Sequence, residues 1–346
     1  MADQSPWVAT APAAEAAGAH TRHRRWPGRL LTYVLTVFVL VTLNFLLPRM
    51  LPGDPIAAFE DAGSTTYIRN DDTRSALTQY YGLDRPLREQ YVRYLGDLAR
   101  GDLGVSIRYR VPVVDVVAAR LPWTLLLVGT AMALAASVGL LAGVHSGWRR
   151  GRAADRGLLT FFLTLSNVPT FLLASLFLLL FAVRLNWFPL AGSRTLFTPA
   201  TGWSAQVVDV AHHLALPVIV LAVEFAAGYF LLMRAGVVSQ LGGDYLLWGR
   251  ARGLSERRLK YGYAARNALL PVATVAALQF GFAVTGAIFI ERVFAYPGMG
   301  RLLFDSVGVR DYPTLQGCFL VLTVAVVTAN FLAEAAYARL DPRTVR

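Results

Sequence analysis

Long apolar blocks, separated by short polar loops, organise this chain. They run from about Leu30 to Leu47, Pro122 to Val144, Leu158 to Val183, Leu214 to Gly236, Ala268 to Phe289 and Leu315 to Tyr337. A hydrocarbon core about 30 Å thick is crossed by about 20 residues of helix. Each block therefore predicts a membrane-crossing helix with some tilt, and the expected fold class is all-α, integral to the membrane, with about six transmembrane helices.

The polar stretches divide the rest. Residues 1–28 are rich in Ala, Pro and Gly and read as a disordered tail. Residues 29–50 hold the first span. Arg22, Arg24, Arg25 and Arg29 precede it as in a signal peptide, but no Ala-x-Ala site follows, so an uncleaved helix is expected. Residues 51–120 form a polar segment punctuated by Pro, Gly and Asp. Within it Leu83, Leu87, Tyr91, Tyr94, Leu95 and Leu98 recur at helical spacing and predict a small packed cap. Residues 121–340 hold the other five spans, with a long loop at 237–267, and residues 341–346 form a short tail.

Charge then sets the orientation. The net charge is +11, and the arginines are not spread evenly. Arg149, Arg150, Arg152 and Arg156 fill one loop; Arg250, Arg252, Arg257, Arg258, Lys260 and Arg266 fill another. The alternate loops hold Arg194 alone, or Arg301 and Arg310 balanced by Asp305 and Asp311. Basic loops stay inside, so both termini are expected in the cytoplasm and 51–120 outside. Placement in loops between apolar blocks also argues against nucleic acid, which needs one basic folded surface. The chain is 55% hydrophobic and 16% charged, against roughly 25% charged in soluble domains. The one cysteine, Cys318, excludes an internal disulfide. The one lysine, Lys260, is followed by Tyr261, so there is no Gly-Lys-Ser/Thr loop for nucleotide phosphates. Any work drawn from ATP must come from a partner.

A set of motifs narrows the class. Leu51-Pro52-Gly53-Asp54-Pro55, Tyr81-Gly82-Leu83-Asp84-Arg85-Pro86 with Gln90-Tyr91, Gly101-Asp102-Leu103-Gly104-Val105-Ser106 and Arg120-Leu121-Pro122-Trp123-Thr124-Leu125 follow one another. Ser166-Asn167-Val168-Pro169-Thr170-Phe171 and His213-Leu214-Ala215-Leu216-Pro217 come next. Then come Glu291, Phe294, Pro297-Gly298-Met299-Gly300, Arg310-Asp311-Tyr312-Pro313, Asn330 and Asp341-Pro342-Arg343. In this order they resemble the permease subunits of oligopeptide/dipeptide/nickel ABC importers. Asp244, Tyr245, Arg250, Ala251, Arg252, Gly253 and Leu254, followed by Arg266-Asn267-Ala268-Leu269-Leu270-Pro271, resemble the cytoplasmic coupling loop of that family. The resemblance implies a type I importer permease fold and a short helix seated in a groove of an ABC ATPase. It also implies a second homologous permease subunit, an extracellular solute-binding protein, and membrane lipid around the spans. ATP and Mg would be bound by the ATPase; this chain would carry no cofactor and no catalytic residue. Gly253 suits a left-handed helix cap, and the small Gly249, Ala251 and Gly253 suit close approach to a partner. The family's usual Thr-Ala is replaced here by Trp248-Gly249.

Candidate path residues are Ser166, Asn167 and Pro169 in the third span, Glu224 in the fourth and Gln279 in the fifth. A charge at mid-bilayer costs at least about 2.5 kcal/mol, so Glu224 is expected either in the solute path or against a partner helix. Arg234 lies about 80° away round an ideal helix and is a poor partner for it. Glu291, Arg292 and Glu334 are expected to pair at helix ends. Pro169 and Pro217 are expected to kink their helices, and Gly139 with Gly143 to allow close packing within the chain. His212 and His213 point about 100° apart and make no chelate alone, so metal binding is not expected. The same machine importing nickel or a metal chelate is the nearest alternative. A secondary transporter would show inverted repeats and midplane ion sites, and no clear repeat is evident. Motifs of an intramembrane hydrolase are absent.

Overall fold

The computed structural model describes residues 25–50, 75, 79, 84–196, 202–309 and 311–340. The Leu51–Pro55 and Tyr81–Leu83 motifs, Arg310, the tail up to Arg24 and the last residues from Asp341 lie outside the described residues, as does the side chain of Glu334. Among the described residues the chain is helical, with one isolated antiparallel bridge between Val105 and Pro112. The order is α1 (Arg25–Met50), α2 (Leu87–Ala99), α3 (Val113–Trp148), α4 (Ala153–Ser166) and α5 (Thr170–Phe177, extended by the π-helical Leu178–Arg184). Then come α6 (Trp203–Gln240), α7 (Asp244–Ala251), α8 (Glu256–Arg258, extended by the π-helical Leu259–Ala265), α9 (Arg266–Val293), α10 (Met299–Gly308) and α11 (Tyr312–Leu340).

Every apolar block falls on a helix. Val113–Trp148, Trp203–Gln240 and Tyr312–Phe331 are each long and apolar enough to cross a membrane. The third block departs from a straight span: the chain turns by 98° between Ala153–Ser166 and Thr170–Arg184. Pro169 has no N–H to continue a helix, and it disfavours helical backbone at Val168. The Asn167 side-chain amide donates to the Leu163 carbonyl at 2.6 Å and satisfies part of the frayed last turn. Pro122 and Pro217, by contrast, lie inside α3 and α6. The second span thus starts at Val113, upstream of the expected Pro122, because a membrane helix tolerates an internal proline. The expected stripe on α2 is only half-buried, and Leu87 is 60% exposed. Tyr91 and Tyr94 instead lean on Phe45 of α1, with ring centroids 5.1 and 5.4 Å away.

The core is the parallel pair α3 and α6. Gly139, Gly143 and Gly147 recur every four residues along α3. A Cβ added there would meet the backbone oxygens of Ala226, Phe230 and Arg234 at 2.5, 2.7 and 2.9 Å. The α3 stripe of small residues is therefore used inside the chain, as expected. On the other side α9 runs antiparallel to α6, with Gly236 against Ala268. Helix α11 packs on α9 and α1, where the Tyr33 and Thr328 hydroxyls are 2.8 Å apart.

Three buried carboxylates lock the ends of this bundle. At one end Asp155 accepts from Arg234 Nε and Nη2 at 2.7 and 2.8 Å and from the Gly151 N–H at 2.8 Å, and Ser146 completes the set. This ties α3, α4 and α6 together and gives Arg234 its partner. At the other end Asp311 accepts from Ser106 Oγ at 2.5 Å and from the Ile107 and Arg108 N–H groups, which pins the 101–112 turn to the start of α11. Glu291 is fully buried rather than paired at a surface. It accepts from Thr124 Oγ1 at 2.5 Å and from the Arg301 N–H at 3.0 Å, and so caps α10. Its neighbour Arg292 does pair as expected, with Asp305 at 3.0 Å.

Candidate functional site

Two places gather the residues singled out in the sequence. The first is α7 and the turn after it. The helix closes on Gly253, at φ +74°. The Gly253 N–H donates to the Arg250 carbonyl at 2.9 Å, and the Leu254 N–H donates to the Gly249 carbonyl at 3.0 Å. That is the two-bond cap in which a left-handed glycine ends a helix. At the other end the Tyr245 hydroxyl donates to Gln240 Oε1 at 2.7 Å.

One face of α7 is spent on the chain itself. Leu246 and Leu259 are fully buried in a cluster with Ala264, and Trp148, Tyr245 and Leu254 pack around it. A Cβ on Gly249 would stand 2.5 Å from Leu259 Cδ2. Its smallness therefore serves internal packing and not, as expected, a partner. Arg250 also turns inward in part, pairing with Glu256 at 3.2 Å and lying 5.8 Å above the Trp148 ring. The opposite face is open: Asp244, Ala251, Arg252 and Gly253 are exposed, Leu247 is 61% exposed and Trp248 is 71% exposed.

Lys260 is buried on the same side, and its ammonium nitrogen lies 3.2 Å from His145 Nδ1 at the end of α3. It stands in the π-helical stretch that runs on into α9. The cluster under α7 thus rests on the first turns of a continuous helical run from Glu256 to Val293.

The second place is the crossing of α6 with α9, at the break in the third span. The Thr170 hydroxyl, at the start of α5, lies beside the Glu224 carboxylate. Glu224 Oε2 and Gln279 Oε1 are both closed off from solvent and have no hydrogen-bond partner among the described residues. Gln279 reaches over Gly228, one turn along α6 from Glu224: a Cβ there would lie 2.6 Å from its amide nitrogen. On α9, a Cβ on Gly286 would lie 3.5 Å from Glu224 Oε2. Ser166, Asn167 and Pro169 are exposed at the break. Their hydroxyl and amide groups bond back to Leu163 rather than toward Glu224.

The structure thus sets Glu224 and Gln279 about one turn apart on the facing stretches of α6 and α9, with the break next to Glu224 through Thr170. Thr170, Gly228 and Gly286 were not singled out in the sequence. Position 228, one turn from Glu224, was open to the helical period; Gly286 and Thr170 were not, because their contacts cross between elements.

Comparison with known proteins is consistent with this geometry. A family profile described as "Binding-protein-dependent transport system inner membrane component" matches residues 135–346. A Brucella ovis protein provisionally named a peptide permease is 40% identical over 317 residues, covering 91% of this chain and 97% of that protein. The glutathione transport system permease protein GsiC of Escherichia coli strain CFT073 is 37% identical, over 91% of this chain and 96% of its own. The di/tripeptide transport system permease protein DppB of Pseudomonas aeruginosa is 35% identical over the same shares. Among solved structures, a chain of the MetNI methionine ABC transporter in an inward-facing conformation superposes with a TM-score of 0.52. It is 14% identical and covers 67% of this chain and 97% of its own. That likeness is one of fold, the type I importer permease fold.

Proposed function

Because the chain belongs to the family of binding-protein-dependent transport system inner membrane components, we propose that it forms half of the membrane path of an ATP-driven importer of di- and oligopeptides. The family is the permease part of ABC importers, which work with ATPase and binding-protein partners. The finer assignments are part of the same proposal. Helix α7 is the element offered to the ATPase. A second homologous permease completes the path, and a solute-binding protein delivers from the side of α2 and α10. ATP and Mg are bound and used by the ATPase, and this chain is non-catalytic. By the positive-inside rule, the arginine-rich loops favour α7 and both termini in the cytoplasm.

The observation that carries the coupling role is the face of α7. It is a rigidly capped, two-turn helix that leaves Leu247 and Trp248 to solvent. Two large apolar side chains on an otherwise polar loop suit a partner's groove. Peptides are favoured as the solute by the names of the relatives, whose printed solutes are peptides of two or three residues. Closing of the ATPases would push α7, and the Leu246–Leu259 cluster would pass that push to α9. Gln279 lies about 30 Å further along it at 1.5 Å per residue.

The test is uptake of a labelled dipeptide, a tripeptide and nickel in a strain lacking the gene, with and without its restoration. Peptide uptake that returns with the gene and stops on ATP depletion is the expected result. Nickel uptake with no peptide effect would move the solute to a metal or chelate. Uptake abolished by collapsing the proton gradient at constant ATP would point instead to a secondary transporter.

A further inference from the structure

We propose that Glu224, Gln279 and Thr170 form a station in the path that receives the positively charged ammonium group of the peptide; this rests on the peptide reading above.

The case begins with what the carboxylate lacks. Glu224 lies well inside the 38-residue helix α6, between the buried turns of Leu221–Ala222 and Ala226–Ala227. A charge at that depth needs a partner or a solute. Among the described residues none pairs with it. Arg234, the cation of the same helix, holds Asp155 through Nε and Nη2.

Two acceptor atoms there lack a donor among the described residues. Glu224 Oε2 and Gln279 Oε1 come from two different helices, and each is buried without a hydrogen bond among the described residues. The Thr170 hydroxyl, from a third element, donates to the Glu224 carboxylate, and its oxygen can still accept from an incoming donor. An unmet buried acceptor costs about 1–3 kcal/mol, so two of them on facing helices suit a group that donates. An ammonium supplies three N–H donors and a positive charge. A solute carboxylate, by contrast, would bring like charge and no donor.

The local backbone fits this use. Gly286 packs against Oε2, and Gly228 lets the Gln279 amide approach α6 one turn from Glu224. The break at 167–169 leaves Ser166, Asn167 and Pro169 exposed beside Thr170. Irregular backbone at membrane depth is tolerated where it lines a cavity or is covered by protein.

Charge and shape can be separated by two substitutions. Glu224→Gln keeps the size but removes the charge and turns one acceptor oxygen into an amide donor. Glu224→Asp keeps the charge and shortens the side chain. The full complex, with its second permease, ATPases and binding protein, is reconstituted in proteoliposomes, and labelled dialanine moved per ATP hydrolysed is measured. The expected order is wild type, then Glu224→Asp, then Glu224→Gln at about one tenth of wild type, in line with loss of one charge-assisted hydrogen bond. If Glu224→Gln matches the wild type, or exceeds Glu224→Asp, the carboxylate serves packing and the station is overturned. A lower melting temperature of the Glu224→Gln complex, with uptake falling in step, would overturn it in the same way. If the wild type itself moves no dialanine, the peptide reading fails first, and the station falls with it.

Discussion

At the scale of single residues, the buried carboxylates determine which substitutions the fold will bear. Glu291 sits fully buried against Thr124 and the first turn of α10. Gly298 is next to it, and any side chain there would overlap the carboxylate. Glu291→Leu removes the acceptor and strands both Thr124 Oγ1 and the Arg301 N–H. The expected loss is about 2–4 kcal/mol, by analogy with other buried polar groups left unpaired. Gly298→Ala should cost a similar amount, since the carboxylate is tethered and cannot swing away. The double variant should lose less than the sum, because both act on one contact. Thermal unfolding of the detergent-solubilised complex checks this; additive losses would mean that the two sites act separately.

Asp155 is the matching case at the α7 end. Asp155→Ala leaves Arg234 without its bidentate partner and Ser146 without an acceptor, whereas Arg234→Ala leaves Asp155 still holding Ser146 and the Gly151 N–H. Both should destabilise, by about 3 kcal/mol or more for a broken buried pair. A double-mutant cycle read by thermal unfolding should show coupling well above the roughly 0–1 kcal/mol typical of a surface pair.

At the scale of elements, the α3–α6 contact is the least forgiving. Gly143 brings the two backbones so close that an added Cβ would stand 2.7 Å from the Phe230 carbonyl oxygen. Backbone cannot step aside as a side-chain tip can, so Gly143→Val should prevent accumulation of folded protein in the membrane. Gly129 lies in the same helix with nothing within 4 Å of its added Cβ. Gly129→Val is the control, expected to accumulate normally and elute as a single species on gel filtration.

The same elements show what was legible beforehand. The apolar blocks were readable as helices because length and apolarity mark them, three of them on helices long and apolar enough to cross a membrane, and Gly139 with Gly143 announced close packing by spacing alone. Pro169 signalled a disturbance, but nothing local separates a kink from a turn of 98°; the internal Pro122 and Pro217 look alike in sequence and leave their helices unbroken. The pairings of Asp155 with Arg234, Asp311 with Ser106 and Glu291 with Thr124 span 79, 205 and 167 positions. No period joins such residues; only the folded bundle does. Gly249 was misread for a related reason, since a small residue invites either a partner or a neighbour in the same chain, and Leu259 settled which.

At the scale of the whole molecule, the proposed coupling depends on how a push on α7 would reach the spans. The α7 turn is held by packing and capping on its inner side, which suits the proposed coupling role. Its inner face is fixed by Leu246 and Leu259, its end is closed by Gly253, and the helical run beneath it continues to Val293. Only the outer face is free to receive a push, and Trp248 is its largest side chain. Trp248→Ala changes no buried contact of the chain, so folding and membrane level should stay normal. Removing a large apolar anchor from a protein interface commonly costs about 2 kcal/mol or more. Co-purification of the ATPase should therefore fall by roughly tenfold or more, and peptide uptake with it. Trp203→Ala is the matched control: Trp203 is 81% exposed, but it stands at the start of α6, on the far side of the bundle from α7. It should leave both readings unchanged. If Trp248→Ala keeps the ATPase bound and uptake intact, the force enters elsewhere. The apolar face of α7 would then need another partner.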